Sequence, residues 1–166
     1  MDIKQLLRFQ LEQARGMTEQ LLPEFKTRED WLFQVHPKAN NAIWVVGHLG
    51  LADNFMMKFI DPEGDQRPDG YEEFFWFGTS PTSDGTNLPP TEEVRAYFDD
   101  RRVNLMRVLE EISDEKLAEA IPPDTPFSNM PSYGQIFAFN AMHEGIHFGQ
   151  LTMCHRGLGN PPMYRP

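Results

Sequence analysis

At 166 residues, 40% of them hydrophobic, the chain has the length of a single domain, 1–166, and enough apolar side chains to fill one core, which excludes a disordered segment. Fifteen Lys and Arg against 25 Asp and Glu leave a net charge of -10, so repulsion excludes nucleic acid and anionic membrane surfaces as partners. The one cysteine, Cys154, forms no intrachain disulfide, no targeting peptide precedes the first amphipathic stretch, and the most apolar run, 42–52, falls short of the roughly 20 residues a membrane crossing needs; the expected setting is the cytoplasm.

Proline is excluded from helix interiors, so the 14 prolines mark the connections and leave windows at 1–22, 38–61, 91–121 and 132–160, each able to hold one long helix. In the first window Leu7, Leu11, Ala14, Thr18 and Leu21 recur every three or four residues, an apolar helical stripe. The second opens on Asn40-Asn41, good capping residues, and carries Trp44, Val45, His48, Leu51, Ala52, Phe55 and Phe59; a helix apolar around most of its girth should be well buried. Residues 61–90 form a long connection with Tyr71, Phe74, Phe75, Trp76 and Phe77, and with seven acidic residues against one base, Arg67. The plain expectation is a solvated acidic loop with its aromatics tucked onto the bundle end, and the sharper one is a lid over an active site.

The third window starts at Pro89-Pro90-Thr91-Glu92-Glu93, with two acids at the positive end of the helix dipole, and runs through Val94, Phe98, Arg101, Leu105, Val108 and Ile112. Ser113 opens a short extra helix. The fourth begins at Ser132-Tyr133-Gly134-Gln135, a capping-box spacing, and ends at Gly157 or Gly159 before Pro161-Pro162. No window alternates with period two, so the fold class is all-α.

Helical projection separates the five histidines. His143 and His147 lie one turn apart, on an inward stripe with Ile136, Asn140, Gln150 and Cys154. Two adjacent buried imidazoles must each find a polar partner in an apolar interior, and a shared metal ion satisfies both. His48, on the stripe of Trp44, Leu51 and Phe55, supplies a third nitrogen from a second helix. Three histidines with an open fourth position match the ligand count of a catalytic rather than a structural zinc site, and nickel, iron or manganese suit the same nitrogens. His36, before Pro37, and His155, off the stripe, read as surface residues. Cys154 lies about 10 Å along the axis from His147 at 1.5 Å per residue, too far to share the ion, and reads as a small buried thiol.

His143-Glu144-Gly145-Ile146-His147 also spells the HExxH string of zinc peptidases, in which the glutamate is a general base. Those peptidases normally add a third ligand downstream, and only His155 follows here. Glu144 projects about 60° from His147, which makes it a candidate catalytic base; a partly exposed helical glutamate is the plainer alternative.

Taken together, Trp44-Val45-Val46-Gly47-His48-Leu49, His143-Glu144-Gly145-Ile146-His147-Phe148-Gly149-Gln150-Leu151 and the closing Leu158-Gly159-Asn160-Pro161-Pro162 make the chain resemble the DinB-like superfamily of metal-binding four-helix bundles, which includes bacterial thiol transferases and metal-dependent hydrolases. The resemblance spans essentially the whole chain. It implies His48, His143 and His147 as metal ligands, and an up-down-down-up bundle with 61–90 as the long crossover between its second and third helices. It further implies a homodimer, and it gives Glu144 no catalytic role.

The leading expectation is a metal-dependent enzyme acting on a small-molecule substrate, with zinc or nickel foremost as the cofactor. It is either a hydrolase that activates water, or a transferase that uses a small thiol as cosubstrate in its thiolate form. The acidic 61–90 segment argues mildly against an anionic thiol and leaves the two level. The alternative is a non-catalytic metal-binding or ligand-sensing bundle, with an HExxH peptidase third.

Overall fold

The computed structural model describes residues 2–163; Pro166, last of the prolines, lies outside them. The described residues form an all-helical structure with α1 (Ile3–Leu21), α2 (Arg28–Leu32), α3 (Ala42–Met57), α4 (Tyr71–Phe75), α5 (Thr91–Glu111), α6 (Asp114–Ala118) and α7 (Tyr133–Gly157). The four long helices occupy the four proline-free windows. None of the described helices is long and apolar enough to cross a membrane.

Local chemistry accounts for most of the boundaries. Asp2 closes a capping box with Gln5 at α1, Asn41 accepts from the Trp44 amide at α3, and Ser113 accepts from the Lys116 amide at α6. The capping box expected at Ser132 does not form: the Gln135 amide donates to the Ser132 carbonyl oxygen, and the Ser132 side chain makes no cap. Two short helices, α2 and α4, are additional to the expected set, and a Thr27–Asp30 capping box starts α2 between Pro23 and Pro37.

Two apolar clusters fill the interior. One gathers Leu21 from the end of α1, Trp44 and Leu49 from the first half of α3, Phe98 from α5 and Leu151 from the end of α7. The other gathers Leu7, Leu11, Met56, Leu105, Leu109 and Phe137, from the opposite ends of the same helices. Between the two clusters each long helix contributes a buried charged side chain to one group, Arg15 (α1), Asp53 (α3), Arg102 (α5) and Glu144 (α7); Arg101, also buried on α5, turns instead to Asn54, the Gly64 carbonyl and Gln66.

In the 61–90 segment two of the aromatics tuck in as expected, and they do so from a short helix rather than a loop. Tyr71 and Phe75 on α4 belong to the core, and the Phe75 ring lies so close to α3 that a Cβ on Gly47 would come within 2.5 Å of it. The cause is α3 itself, which is buried on nearly every side and needs cover where the other long helices do not reach. Phe77, in contrast, is exposed. Phe75→Ala should therefore destabilise the protein by about 3–5 kcal/mol, as for a buried aromatic. Urea unfolding measures this, and a loss below about 0.5 kcal/mol would return the segment to the surface.

Candidate metal centre

α3 and α7 bring His48, His143 and His147 together, with one ring nitrogen from each within 4.8 Å of the others. The three Nε2 atoms face one another: His143 Nε2 lies 3.3 Å from that of His48 and 3.1 Å from that of His147. His48 and His147 are 6% and 7% exposed, and His143, partly exposed, forms the side nearest solvent.

The outer partners set the ring tautomers. His48 Nδ1 sits 2.9 Å from the Phe75 carbonyl oxygen, which can only accept, so this nitrogen carries the proton. His147 Nδ1 sits 2.8 Å from Gln150 Oε1, which also accepts from Asn40 Nδ2 at 2.9 Å; the same logic puts a proton on His147 Nδ1. Both Nε2 atoms then turn lone pairs towards His143, whose single N–H cannot serve two acceptors well. Three converging imidazole nitrogens, two with the opposite N–H held by an oxygen, form a donor set that fits a divalent transition ion.

The environment keeps the rings in the ligating form. Burial, with the neighbouring His147, lowers the His48 pKa to about 4. Burial and the two adjacent imidazoles lower His143 to about 3, and burial lowers His147 against the opposing Gln150 hydrogen bond. Two aromatic planes complete the surroundings. Trp44 stacks on His48 at 4.7 Å, anchored by its Nε1–H to Thr79 Oγ1 at 2.8 Å, and Phe139 stacks on His143 at 5.8 Å.

Glu144 is not a partly exposed residue on the flank of α7; its side chain is 0% exposed. Arg15 Nε donates to its Oε1 at 2.9 Å, and Arg102 Nη2 to its Oε2 at 2.5 Å. The same arginines hold Asp53, Arg15 through Nη2 at 3.3 Å and Arg102 through Nε at 2.8 Å. Both carboxylate oxygens of Glu144 are thus committed to ion pairs, away from the imidazoles.

The remaining expectations divide. His36 is exposed, and Cys154 is buried with its thiol pKa raised to about 11 by burial, its Sγ–H donating to the Asn40 carbonyl. His155 is not a surface residue: it is 4% exposed and packs edge-on against Phe25, because the chain after α1 folds back over that side of α7. Sequence reasoning missed Phe75, Thr79 and Asn40 as supports of the cluster. Phe75 acts through a carbonyl that every residue possesses, so no side-chain pattern could have revealed it. The charged quartet did leave a signal, namely Arg15 and Asp53 embedded in otherwise apolar helical arcs.

The family model described as the DinB superfamily matches residues 10–151. No curated protein and no solved structure matches the chain.

Replacing His48, His143 or His147 by Ala should each sharply reduce bound metal in elemental analysis, while His36→Ala should not; unchanged metal content in the His48 variant contradicts the cluster as a metal centre. Because burial lowers all three histidines, His48 to about 4 and His143 to about 3, protons compete with metal at a lower pH than at ordinary histidines. Metal affinity should accordingly stay nearly flat as pH falls from about 7.5 to 5.5, where histidines near the ordinary value of about 6.5 would already be losing metal. Competition titration with a chelator reads this, and a tenfold loss by pH 5.5 contradicts it.

Proposed function

This chain belongs to the DinB superfamily, and we propose that it is a metal-dependent enzyme of the small-thiol-dependent transferase type, acting on a small-molecule electrophile. The observation that carries the choice over a hydrolase is the state of Glu144, whose two oxygens are both taken by arginines. Hydrolysis assisted by a general base needs a free proton acceptor at the centre, and none of the three imidazoles bonds to a carboxylate among the described residues. The HExxH peptidase reading loses its base in the same way.

A zinc or nickel ion held by His48, His143 and His147 would supply the positive charge that lowers the pKa of a nearby thiol. Iron or manganese suit the nitrogens less specifically. The chain's own residues do the rest. The Phe75 carbonyl and Gln150 Oε1 fix the ring orientations, and Trp44 and Phe139 wall the centre with apolar surface that keeps water from competing with a thiol.

We read the bundle as up-down-down-up, a reading supported by the apolar cluster that joins the ends of α1 and α7 to the starts of α3 and α5. A homodimer belongs to the same proposal, supported by Ile3, Leu6 and Phe9 on α1 and Met142 and Ile146 on α7, which stand 41–55% exposed. A cytoplasmic setting accords with the single unpaired cysteine.

Metal-loaded protein incubated with a small thiol and an electrophilic aromatic acceptor, beside a panel of simple esters, tests the reaction class. Thiol transfer without ester cleavage is expected; a spectrum that responds to thiols without any turnover would favour a ligand-sensing bundle instead. Glu144→Gln should lower unfolding free energy by about 3–5 kcal/mol, the scale for breaking a buried ion pair. The folded, metal-loaded fraction of this variant should keep its rate within about tenfold, whereas a loss of 100-fold or more with metal retained would make Glu144 a general base and the enzyme a hydrolase.

A further inference from the structure

On the outer, Nδ1 side of His147 lies a cavity of about 260 Å³, lined by Val35, Lys38, Ala39, Asn40, Gln150 and Met153. One side chain joins it to the centre. Gln150 accepts from His147 Nδ1 and from Asn40 Nδ2 through the same oxygen, so its amide nitrogen, with no acceptor among the described residues, is left to donate to whatever enters the cavity.

The second polar group is the Lys38 ammonium. It forms no ion pair among the described residues, and Lys38 bonds only through its backbone amide, to His36 Nδ1. Like Lys26 and Lys58, Lys38 has no carboxylate partner among the described residues, whereas the described arginines are engaged by carboxylates or by carbonyl oxygens, as Arg28 is by Pro89 and Arg156 by Asn160. The cavity also lies at the positive end of α3, since Asn40 immediately precedes the N-cap Asn41. Its remaining walls are apolar. Val35 and Met153 stand 42% and 59% exposed, side chains that contribute little to the core from where they lie.

An ammonium, an amide N–H and an apolar wall together suit a carboxylate on a short hydrocarbon body. The volume is below the roughly 300–1,000 Å³ that holds a drug-sized ligand, which points to a small organic acid. We propose that this cavity is the subsite for the carboxylate-bearing end of a small substrate whose reacting atom lies at His48, His143 and His147. The carboxylate meets Lys38 Nζ and Gln150 Nε2, and the hydrocarbon lies along Val35 and Met153. The proposal rests on the metal-dependent reading above and extends it to substrate class. The carboxylate can belong either to the thiol or to the electrophile.

The test uses the full chain loaded with cobalt, with three probes of equal length: 6-mercaptohexanoate, the neutral 6-mercaptohexanol, and hexanoate. Thiol binding is read from the cobalt absorption spectrum and hexanoate binding by calorimetry, in the wild type, in Lys38→Met and in Met153→Glu. The expected result is that 6-mercaptohexanoate binds at least tenfold more tightly than 6-mercaptohexanol, that Lys38→Met abolishes this preference by weakening the acid alone, and that Met153→Glu, which puts a carboxylate on the apolar wall, weakens both thiols. Equal binding of the two thiols, with hexanoate binding that depends on Lys38, also supports the subsite and assigns the carboxylate to the electrophile. Equal thiol binding with hexanoate absent or indifferent to Lys38 overturns the subsite and leaves the transferase reading standing. If neither thiol perturbs the cobalt spectrum, the transferase reading fails, and the Lys38 dependence of hexanoate binding alone supports or overturns the cavity.

Discussion

The structure turns on four buried charges at the middle of the bundle. Arg15, Asp53, Arg102 and Glu144 come one from each long helix, two of each sign, and they form the layer that separates the two apolar clusters. Such a group adds little net stability over apolar residues of similar volume, since desolvation offsets most of the Coulombic gain, yet breaking it is expensive. What it does specify is register. A helix in this bundle that rotates or slides by one residue strands a charge in the core, and the alternatives to the observed packing are penalised accordingly. Arg102 Nη1, buried with no partner among the described residues, shows that even this network is not fully satisfied.

That constraint reaches the histidine cluster through α7. Glu144 lies between His143 and His147 in sequence, and its arginine contacts fix how α7 is rotated, hence where the two imidazoles point. Asp53 does the same for α3, five residues beyond His48. His48 has a further support from outside the bundle, because the Phe75 carbonyl and the Trp44–Thr79 bond tie it to the crossover segment. The centre is therefore held by two different devices: ion pairs in the core set the helices, and hydrogen bonds from loops set the rings.

Much of this was legible in the sequence, and the exceptions share a cause. The proline-free windows gave the long helices, and helical projection put His48, His143 and His147 on inward faces, because spacing along one helix is a local property. The same projection misplaced Glu144 and His155. A charged or polar residue is assigned to solvent unless its partner is known, and the partners of Glu144 are Arg15 and Arg102, which lie 129 and 42 residues away. The capping box at Ser132 failed for a related reason: the spacing was present, but the backbone amide closed a turn with the carbonyl instead. The aromatics of the acidic segment were expected to tuck in; what escaped was the short helix α4 that carries Tyr71 and Phe75 and the face of α3 they cover. An acidic, proline-rich segment looks solvated until the need of an all-round apolar α3 for cover is weighed against it.

Charge accounting at the centre bears on what it can hold. Three imidazoles kept neutral by burial would leave the charge of a divalent ion uncompensated by any ligand. The nearest carboxylates in the core, Asp53 and Glu144, are balanced by Arg15 and Arg102, so the quartet contributes no net charge. Trp44 and Phe139 reduce the screening that water would provide. A divalent ion held there would attract an anion, thiolate or hydroxide, to its open position more strongly than a neutral ligand. It would do so within a strongly acidic protein, whose overall field repels anions approaching from afar. Selectivity then depends on short-range features, to which a cation in the neighbouring cavity, as proposed for Lys38, would contribute more than the total charge of the chain.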